Sequence, residues 1–292
     1  HGAAASVALT IPATVTNDAV FGVQPQARIL DADGNLVSTG TQSTQDVVLS
    51  SSNATIAGTL TQAAVGGVAD FTGIKLTSTI GSRSVTATIS NPSATDTKTT
   101  TVTFGSATKL AITQAAAGFV NRTNFTTQPK VTVQDVSGNT VTNFAGTIDL
   151  AVSAGATLTG TTSVTISGTD LGVASFSGVG IFGPIATYTL TFSSGALTND
   201  TQSAAITHGA AHSLQVTAPT TATNAVVFGT QPVVRILDRD GNLVTTGSQA
   251  TQTVSLSATG AVLDGTVSMA AVAGEANFTG KDLKLTGLIG PK

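Results

Sequence analysis

VFGVQPQARILDADGNLVSTG (residues 20–40) and VFGTQPVVRILDRDGNLVTTG (residues 227–247) are two copies of one stretch of sequence. Sixteen of the 21 aligned positions are identical, at a constant offset of 207 residues. Apolar and polar residues alternate up to an Asp-x-Asp-Gly-Asn segment, which is the pattern of a strand that runs into a tight turn. A strand and turn written twice predicts a chain of similar β-rich units rather than a fold built around one reactive pocket.

A third, more diverged copy, FTTQPKVTVQDVSGNTV, occupies residues 125–141. Pro25, Pro129 and Pro232 mark the three copies at spacings of 104 and 103 residues. A repeat of about a hundred residues is too long for a solenoid and suits a string of domains. We therefore predict three units, and call residues 1–104, 105–207 and 208–292 the first, middle and third unit.

A second motif, Gly-x-Ala-x-Phe-[Thr/Ser]-Gly, recurs once in each unit and predicts a strand with one buried face. Its Ala and Phe are two residues apart and so share a face, which predicts that Phe71, Phe176 and Phe278 are core residues. The strand after the Gln-Pro pair alternates in the same way. Its predicted inward residues are Ala27, Ile29, Val131, Val133, Val234 and Ile236; its predicted outward residues are Gln26, Arg28, Lys130, Thr132, Val233 and Arg235.

About seven short strands per unit, separated by turn signals and without helical periodicity, predict an all-β fold of three tandem immunoglobulin-like β-sandwich domains. The third unit is predicted to be incomplete. LIGPK (residues 288–292) aligns with the segment just before the two closing strands of the first unit, near residues 84–90 and 97–104. Two interpretations stay open: truncation of a longer chain, or completion by strands from a neighbouring subunit.

Composition excludes several function classes. The 292 residues carry a net charge of −3 with 9% charged residues, so no basic surface is expected to bind nucleic acid. Mean hydropathy is +0.30, yet no apolar run approaches the roughly 18 residues of a spanning helix, and we predict no membrane insertion. Cysteine is absent, which excludes disulfides, thiolate zinc sites and a cysteine nucleophile.

The Asp/Asn-rich turns are the strongest candidates for a metal site in the sequence. Alternating oxygen-bearing residues resemble the start of a calcium loop, although the glycine and the closing glutamate of an EF-hand are not where that motif needs them. A hairpin turn accounts for the same residues, and the middle copy (Asp135, Ser137, Asn139) lacks one carboxylate. The candidate metal-ligating residues are Asp31, Asp33, Asn35, Asp238, Asp240 and Asn242; no other cofactor is predicted.

The remaining polar residues predict no catalytic centre. The only histidines are His1, His208 and His212, and the first two begin equivalent units, where linkers between domains are expected. Transition-metal binding by these histidines is the alternative. With one Tyr and no Trp, the chain has few aromatic side chains on which sugars or bases could stack. We predict no catalytic residues and no enzyme activity.

Taken together, ATKLAIT (residues 107–113), the Gln-Pro strand, the Asp-x-x-Gly-Asn turn and the Gly-Val-Ala-x-Phe strand resemble the tandem bacterial immunoglobulin-like (Big-type) repeat domains of large surface adhesins and surface-fibre proteins. The resemblance covers all three units. It implies a secreted, cell-surface rod or fibre that holds an adhesive tip away from the cell. It also implies that binding resides in terminal modules, none of which is recognisable here, so the sequence indicates no tip ligand.

Our leading hypothesis is a non-enzymatic structural repeat region of an extracellular bacterial surface fibre, filament or adhesin stalk, able to assemble by strand complementation. Its partners would be neighbouring copies of itself or further repeats of the same chain. The alternative is an adhesive or carbohydrate-binding accessory module, which clustered exposed aromatic residues would favour. An enzyme would require polar residues unique to one unit, whereas those observed mostly follow the repeat.

Overall fold

The computed structural model describes residues 1–287, and its secondary structure is nearly all β, which confirms the predicted fold class. The first unit contains β1 (Ala4–Thr10), β2 (Thr14–Thr16), β3 (Gln26–Asp31), β4 (Asp46–Ser50), β5 (Thr55–Ala57), β6 (Thr61–Ala63), β7 (Val68–Asp70), β8 (Lys75–Thr77), β9 (Gly81–Ser90) and β10 (Ser93–Thr103). The middle unit contains β11 (Lys109–Gln114), β12 (Thr123–Asn124), β13 (Lys130–Gln134), β14 (Gly146–Val152), β15 (Thr157–Thr159), β16 (Ser163–Ile166), β17 (Val173–Ser175), β18 (Gly180–Phe182), β19 (Thr187–Ser193) and β20 (Asp200–Ala205). The third unit contains β21 (Ser213–Thr217), β22 (Val233–Leu237), β23 (Thr253–Ser255), β24 (Val262–Asp264), β25 (Ser268–Ala270), β26 (Glu275–Asn277) and β27 (Lys284–Thr286). Three single-turn 3-10 segments lie at Thr41–Thr44, Gly168–Asp170 and Ser248–Thr251.

The first unit is a sandwich of two main sheets. A three-stranded sheet has the order β1-β3-β7, and a five-stranded sheet has the order β2-β10-β9-β4-β6. Pairing is antiparallel, except that β2 runs parallel to β10. Side chains that alternate along each strand place one apolar face of each sheet against the other, and Ile29, Leu49, Phe71 and Ile89 are fully buried between them.

The middle unit repeats this architecture with sheets β11-β13-β17 and β16-β14-β19-β20. Its small sheet of order β12-β18-β15 corresponds to the β5-β8 pair of the first unit. Phe176 packs edge-on against Phe192, with ring centroids 5.4 Å apart. Phe71, Phe176 and Phe278 are all buried, which confirms the prediction that the repeated Phe is a core residue.

The strand after the Gln-Pro pair behaves as predicted at its inward positions, all six of which are buried. The outward prediction is wrong for Thr132, which is buried. Its hydroxyl lies 3.1 Å from the Thr113 hydroxyl on the paired strand, and this hydrogen bond makes a covered position acceptable for a polar side chain.

The third unit retains the sheet β21-β22-β26 together with two-stranded pairs β23-β25 and β24-β27. Residues 208–287 correspond to residues 1–80 of the first unit, which precede β9 and β10, so they contain no counterpart of those two strands. As a result Leu214 and Val216 are 58% and 54% exposed, whereas the equivalent Val7 and Leu9 are 5% and 3% exposed. The LIGPK segment (288–292), on which the alignment with the first unit was based, lies outside the described residues.

Three separate clusters of buried hydrophobic residues lie within the three predicted units. Phe104, the last residue of the predicted first unit, packs against the middle cluster. The unit boundaries stay predictions, but the chain passes from one cluster to the next within a few residues of Gly105.

Candidate functional site: the junctions between units

A tight turn follows the second strand of each three-stranded sheet and contains the predicted metal ligands. In the first unit the Asp31 amide donates to the Asn35 carbonyl (2.9 Å), and Gly34 supplies the positive φ of 83° that the turn requires. One carboxylate oxygen of Asp31 accepts hydrogen bonds from the amides of Asp33 (3.1 Å) and Asn35 (2.8 Å). Asp135 and Asp238 hold the other two turns in the same way.

The second carboxylate oxygen of each turn Asp ties the turn to the start of its own unit. Asp31 Oδ2 accepts from the Gly2 amide at 2.6 Å, Asp135 Oδ2 from the Gly105 amide at 2.8 Å, and Asp238 Oδ2 from the Gly209 amide at 2.9 Å. The turn and the segment that enters the unit therefore form one rigid end of the sandwich.

At the first junction this end contacts the first unit through Asn17. Its Nδ2 donates to Asp135 Oδ2 at 2.8 Å and to Ser137 Oγ at 3.0 Å. Its Oδ1 accepts from the Ser78 amide, in its own unit, at 2.8 Å. Asn17 is 2% exposed. One buried amide side chain thus bonds a loop of one unit to the turn of the next.

Asn139 makes the reciprocal contact from the middle unit. Its Oδ1 accepts from the Ile80 amide at 2.8 Å, and its Nδ2 donates to the Ser78 carbonyl at 3.0 Å and to Asp135 Oδ2 at 2.8 Å. Both polar atoms of both amide side chains are therefore used. An interface in which buried polar groups are satisfied in this way has a defined geometry, because any rotation leaves several of them unpaired.

The second junction repeats the first. Asn121 Nδ2 donates to Asp238 Oδ2 and to Asp240 Oδ2, each at 2.8 Å, and its Oδ1 accepts from the Gly183 amide at 3.0 Å. Asn242 makes the reciprocal contact from the third unit: its Oδ1 accepts from the Ile185 amide at 2.8 Å and its Nδ2 donates to the Gly183 carbonyl at 3.0 Å.

We call the Asn and the loop that it anchors the socket of a unit. The socket of the first unit is Asn17 and the next residue, Asp18, with residues 78–80. The socket of the middle unit is Asn121 and the next residue, Arg122, with residues 183–185. In the third unit Asn224 Oδ1 accepts from the Gly287 amide at 3.0 Å, which is the same arrangement, and Asn224 is exposed.

The second junction also contains an ion pair. Arg122 Nε and Nη2 donate to the two carboxylate oxygens of Asp240, each at 2.6 Å, and the guanidinium carbon lies 4.4 Å from the centre of the Phe182 ring. The pair raises the pKa of Arg122, and the Arg122 hydrogen bond lowers the pKa of Asp240. A bidentate pair that rests on an aromatic ring is more specific than an exposed surface pair.

A glycine stands at each junction where two backbones approach closely. A Cβ on Gly209 would lie 2.6 Å from the Asn121 carbonyl oxygen, and a Cβ on Gly105 would collide with the Asn17 carbonyl oxygen. At Gly2 the nearest atoms to such a Cβ belong to Asp31, at 3.7 Å. Glycine is therefore sterically required at the two junctions, whereas alanine would fit in place of Gly2 at the start of the first unit.

Hydrogen bonding sets the ionisation of the turn carboxylates. Burial opposes ionisation of Asp238, but the bonds from Gly209, Asn242 and Asn121 outweigh it and lower the pKa to about 2. The pKa of Asp135 is lowered in the same way against the cost of burial. The Gly2 and Asn35 amides lower the pKa of Asp31 to about 2. All three are anions at neutral pH.

The first-unit turn has the same internal geometry without a neighbouring unit on it. Asp33 and Asn35 are exposed, whereas their counterparts Asp240 and Asn242 are half-buried and buried.

The structure brings the six predicted metal-ligating residues together as two turns, three residues in each. Amide groups donate to the carboxylate oxygens of Asp31 and Asp238, and within residues 1–287 no group of three or more Asp, Glu or His side chains is placed to hold a metal ion. A calcium loop and a hairpin turn stay the two interpretations of these residues.

The two unit-starting histidines have equivalent partners. His1 Nε2 lies 2.9 Å from Thr39 Oγ1, and His208 Nε2 lies 2.8 Å from Thr246 Oγ1. Each histidine thus fastens the start of its unit to the segment that follows the turn.

Sequence reasoning missed the other half of each junction. Asn17, Asn121 and Asn224 recur at spacings of 104 and 103 residues, the same spacings as the repeated prolines. That regularity was a usable signal, because a polar residue kept in register with a core repeat needs a structural reason. Arg122 carried no such signal, since Asp18 and Ala225 stand at the equivalent positions.

An apolar groove of about 910 Å³ runs along the third unit, where the first unit has its closing strands. Val216, Phe228, Leu256, Leu263 and Leu285 are among the residues that line it. The groove is the open side of the incomplete sandwich.

No protein-family model matches the chain, and no curated protein is similar to it in sequence. Solved structures that match the chain include the Escherichia coli adhesin FdeC, at 15% identity and a TM-score of 0.35 over 98% of this chain and 96% of that one. Domains 4–9 of the surface layer protein SbsC match at 17% identity and a TM-score of 0.28, over 91% of this chain and 41% of that one.

A β-glucuronidase from Parabacteroides merdae matches at 11% identity and a TM-score of 0.27, over 69% of this chain. The chain spans only 24% of the length of that enzyme. Identities and TM-scores this low assign no function to the chain, because unrelated proteins share β-sandwich architecture.

Across residues 1–287, none of the helical segments has the length and apolar character needed to cross a membrane.

Proposed function

We propose that the chain is a non-enzymatic structural repeat region of an extracellular surface fibre, filament or adhesin stalk. The observation that carries the proposal is the pair of equivalent junctions, in which buried Asn side chains from both units close a hydrogen-bonded contact. Such contacts hold successive sandwiches at a fixed angle, so the reach of the chain grows with the number of units.

The geometry supports stiffness over flexibility. Phe104 packs against the middle cluster and the next residue, Gly105, already donates to Asp135, so no free linker separates the first two units. At the second junction Gly209 donates to Asp238 in the same way. Domains joined by a small polar contact and a flexible linker would be expected to move independently; here the connecting segment is part of the contact.

The proposed partners are further units of the same kind, either in the same chain or in a neighbouring copy. The low charge and the Thr-, Ser- and Ala-rich surface suit a spacer, and the resemblance to Big-type repeats supports placement at a bacterial cell surface. The end-to-end use of Asn and Asp side chains gives each unit two distinct ends, as a polar rod requires.

Assembly by strand complementation is the finer part of the proposal. The groove of the third unit exposes Leu214 and Val216, whose equivalents in the first unit are covered by the sheet that contains β9 and β10. A strand pair with the alternating pattern of β9 and β10 would bury these residues, whether it came from the same chain or from another copy.

Small-angle X-ray scattering and negative-stain imaging of the full chain test the proposal. We expect an elongated particle with three beads in line and a distance distribution that a single arrangement of units reproduces. A compact particle, or a distribution that only an ensemble of angles reproduces, would reject a stiff spacer.

A further inference from the structure

The two junctions differ at one facing pair of positions. One position is the socket residue after the Asn, and the other is the third residue of the turn. The socket residues are Asp18, Arg122 and Ala225; the turn residues are Asp33, Ser137 and Asp240.

Where the turn has a carboxylate, the socket that holds it has an arginine. Asp240 of the third unit receives both hydrogen bonds from Arg122 of the middle unit. The match is geometric as well as electrostatic, because a guanidinium presents two parallel donors to a carboxylate.

Where the socket has a carboxylate, the turn has none. Asp18 lies in the first-unit socket and is bonded in its own unit to Lys75 Nζ (2.7 Å) and Thr77 Oγ1 (3.0 Å). The turn residue that faces this socket is the neutral Ser137, which bonds Asn17. The Lys75 hydrogen bond is the main reason that the pKa of Asp18 is lowered, and the charge of Asp135 opposes that shift. A second carboxylate on the turn would add a like charge opposite Asp18 and would bring no donor to pair with it.

From these contacts we propose that the charges at this pair of positions fix the order in which units follow one another. We further propose that the exposed turn of the first unit (Asp31, Asp33, Asn35) is a docking surface for a unit with the Asn–Arg socket of residues 105–207. A carboxylate turn enters an arginine socket, and a serine turn enters an aspartate socket. The inference rests on the rigid junctions of the proposed function and names the partner that they select.

The first-unit turn is built to receive such a socket. Its Asp31 is held by amides as Asp238 is, and Asp33 stands where Asp240 binds Arg122. Gly2 keeps the space that Gly209 uses for the Asn121 carbonyl group. The third unit contacts the middle-unit socket through its turn. The first-unit turn repeats those residues, in type and geometry, on an exposed surface.

The same chemistry argues against a socket of the first-unit type as the occupant. It would place Asp33 against Asp18, which already binds Lys75 of its own unit, in a socket that has no arginine. A chain that used this pairing would lose the arginine contact and gain repulsion. We therefore expect units to alternate in type along an assembly.

The test uses pulsed electron-electron resonance between spin labels on two introduced cysteines, because the chain has no cysteine of its own. For the first junction, labels replace the exposed Thr95 and Thr187 in the full chain. The parent protein is expected to give a narrow distance distribution, Ser137→Asp a distribution at least twice as broad, and Asp18→Arg with Ser137→Asp a narrow one again. Ser137→Ala, which adds no charge, is the control and should stay narrow.

For the docking surface, residues 1–207 are placed before a complete copy of the chain, with labels at Thr187 of the first segment and Thr95 of the second. The distance distribution between these labels should be narrow across the new contact. Arg122→Asp in the first segment should broaden the distribution, and Asp33→Arg in the second should then restore it.

The outcomes separate the two proposals. Broad distributions in the parent protein would overturn the stiff junctions and the pairing rule together. A narrow parent distribution that Ser137→Asp leaves unchanged, or a broad distribution across the new contact, would overturn the pairing rule alone.

Discussion

Asn121→Ala is the substitution that should weaken a junction most. Asn121 is 2% exposed and takes part in three hydrogen bonds, two to the carboxylates of the third unit and one from the Gly183 amide in its own unit. Alanine removes all three and leaves a buried amide N–H without its acceptor.

The expected cost follows from those bonds. A hydrogen bond to a charged group contributes about 1.5–3 kcal/mol and a neutral one about 1 kcal/mol. The carboxylates regain water when the junction opens, so the lower end applies to them. We expect the free energy of unfolding of the middle unit to fall by about 4 kcal/mol.

Tyrosine fluorescence measures this change in the relevant unit, because Tyr188 is the only tyrosine and the chain has no tryptophan. Tyr188 is buried in the middle unit, and its hydroxyl donates to the Pro184 carbonyl in the socket loop. The assay is guanidinium unfolding followed at Tyr188. Asn124→Ala, an exposed asparagine in the same unit, is the matched control and should change the free energy by less than about 0.5 kcal/mol. Equal effects of the two substitutions would refute the reasoning.

Three further outcomes are expected. Gly209→Ala should destabilise the protein by about 1–3 kcal/mol, because its Cβ would lie 2.6 Å from the Asn121 carbonyl oxygen, whereas Gly2→Ala should be neutral in the same denaturation experiment. The pKa of Asp238 is lowered to about 2 in the folded state, so its ionisation stabilises the protein at pH values above the ordinary carboxyl pKa. That contribution, about 2 kcal/mol, is lost as the pH falls from about 4 to 2. Asp238→Asn should remove this part of an acid titration followed by circular dichroism. Calcium should leave the melting temperature unchanged, because amides already donate to the carboxylate oxygens of Asp31 and Asp238, and a rise would favour the calcium interpretation of the turns.

Periodicity within a unit was enough to predict the fold. Phe71 and Ile29 are placed by a period of two and by flanking glycines, which are local signals that every copy repeats. Thr132 shows the limit of that rule, because a hydroxyl with a cross-strand partner can occupy a covered position.

The junctions were not predictable from the same signals. Asp33 and Asp240 lie in nearly identical sequences, yet one is exposed and the other binds Arg122. Asp240 differs because it contacts Arg122 of the middle unit, 118 residues earlier in the sequence. The acidic turns were interpreted as candidate calcium loops or hairpins because the socket asparagines are far away in the sequence. Asn17 and Asn121 lie 118 and 117 residues before the Asp135 and Asp238 that they bind.

The buried sequon at Asn121 illustrates the same dependence on context. Asn121-Arg-Thr is a glycosylation triplet, but both polar atoms of the Asn121 side chain are engaged at the junction. A glycan on this residue is incompatible with the closed contact.

The central claim is that neighbouring units are locked together, and amide hydrogen exchange tests it without any substitution. The Ile80 and Ile185 amides donate only across a junction, to Asn139 Oδ1 and Asn242 Oδ1, each at 2.8 Å. If the junctions are closed in solution, both amides exchange far more slowly than amides of unstructured chain. If both exchange at the rate of free amides while the strands of each unit stay protected, the units move independently and the account of a stiff spacer is wrong.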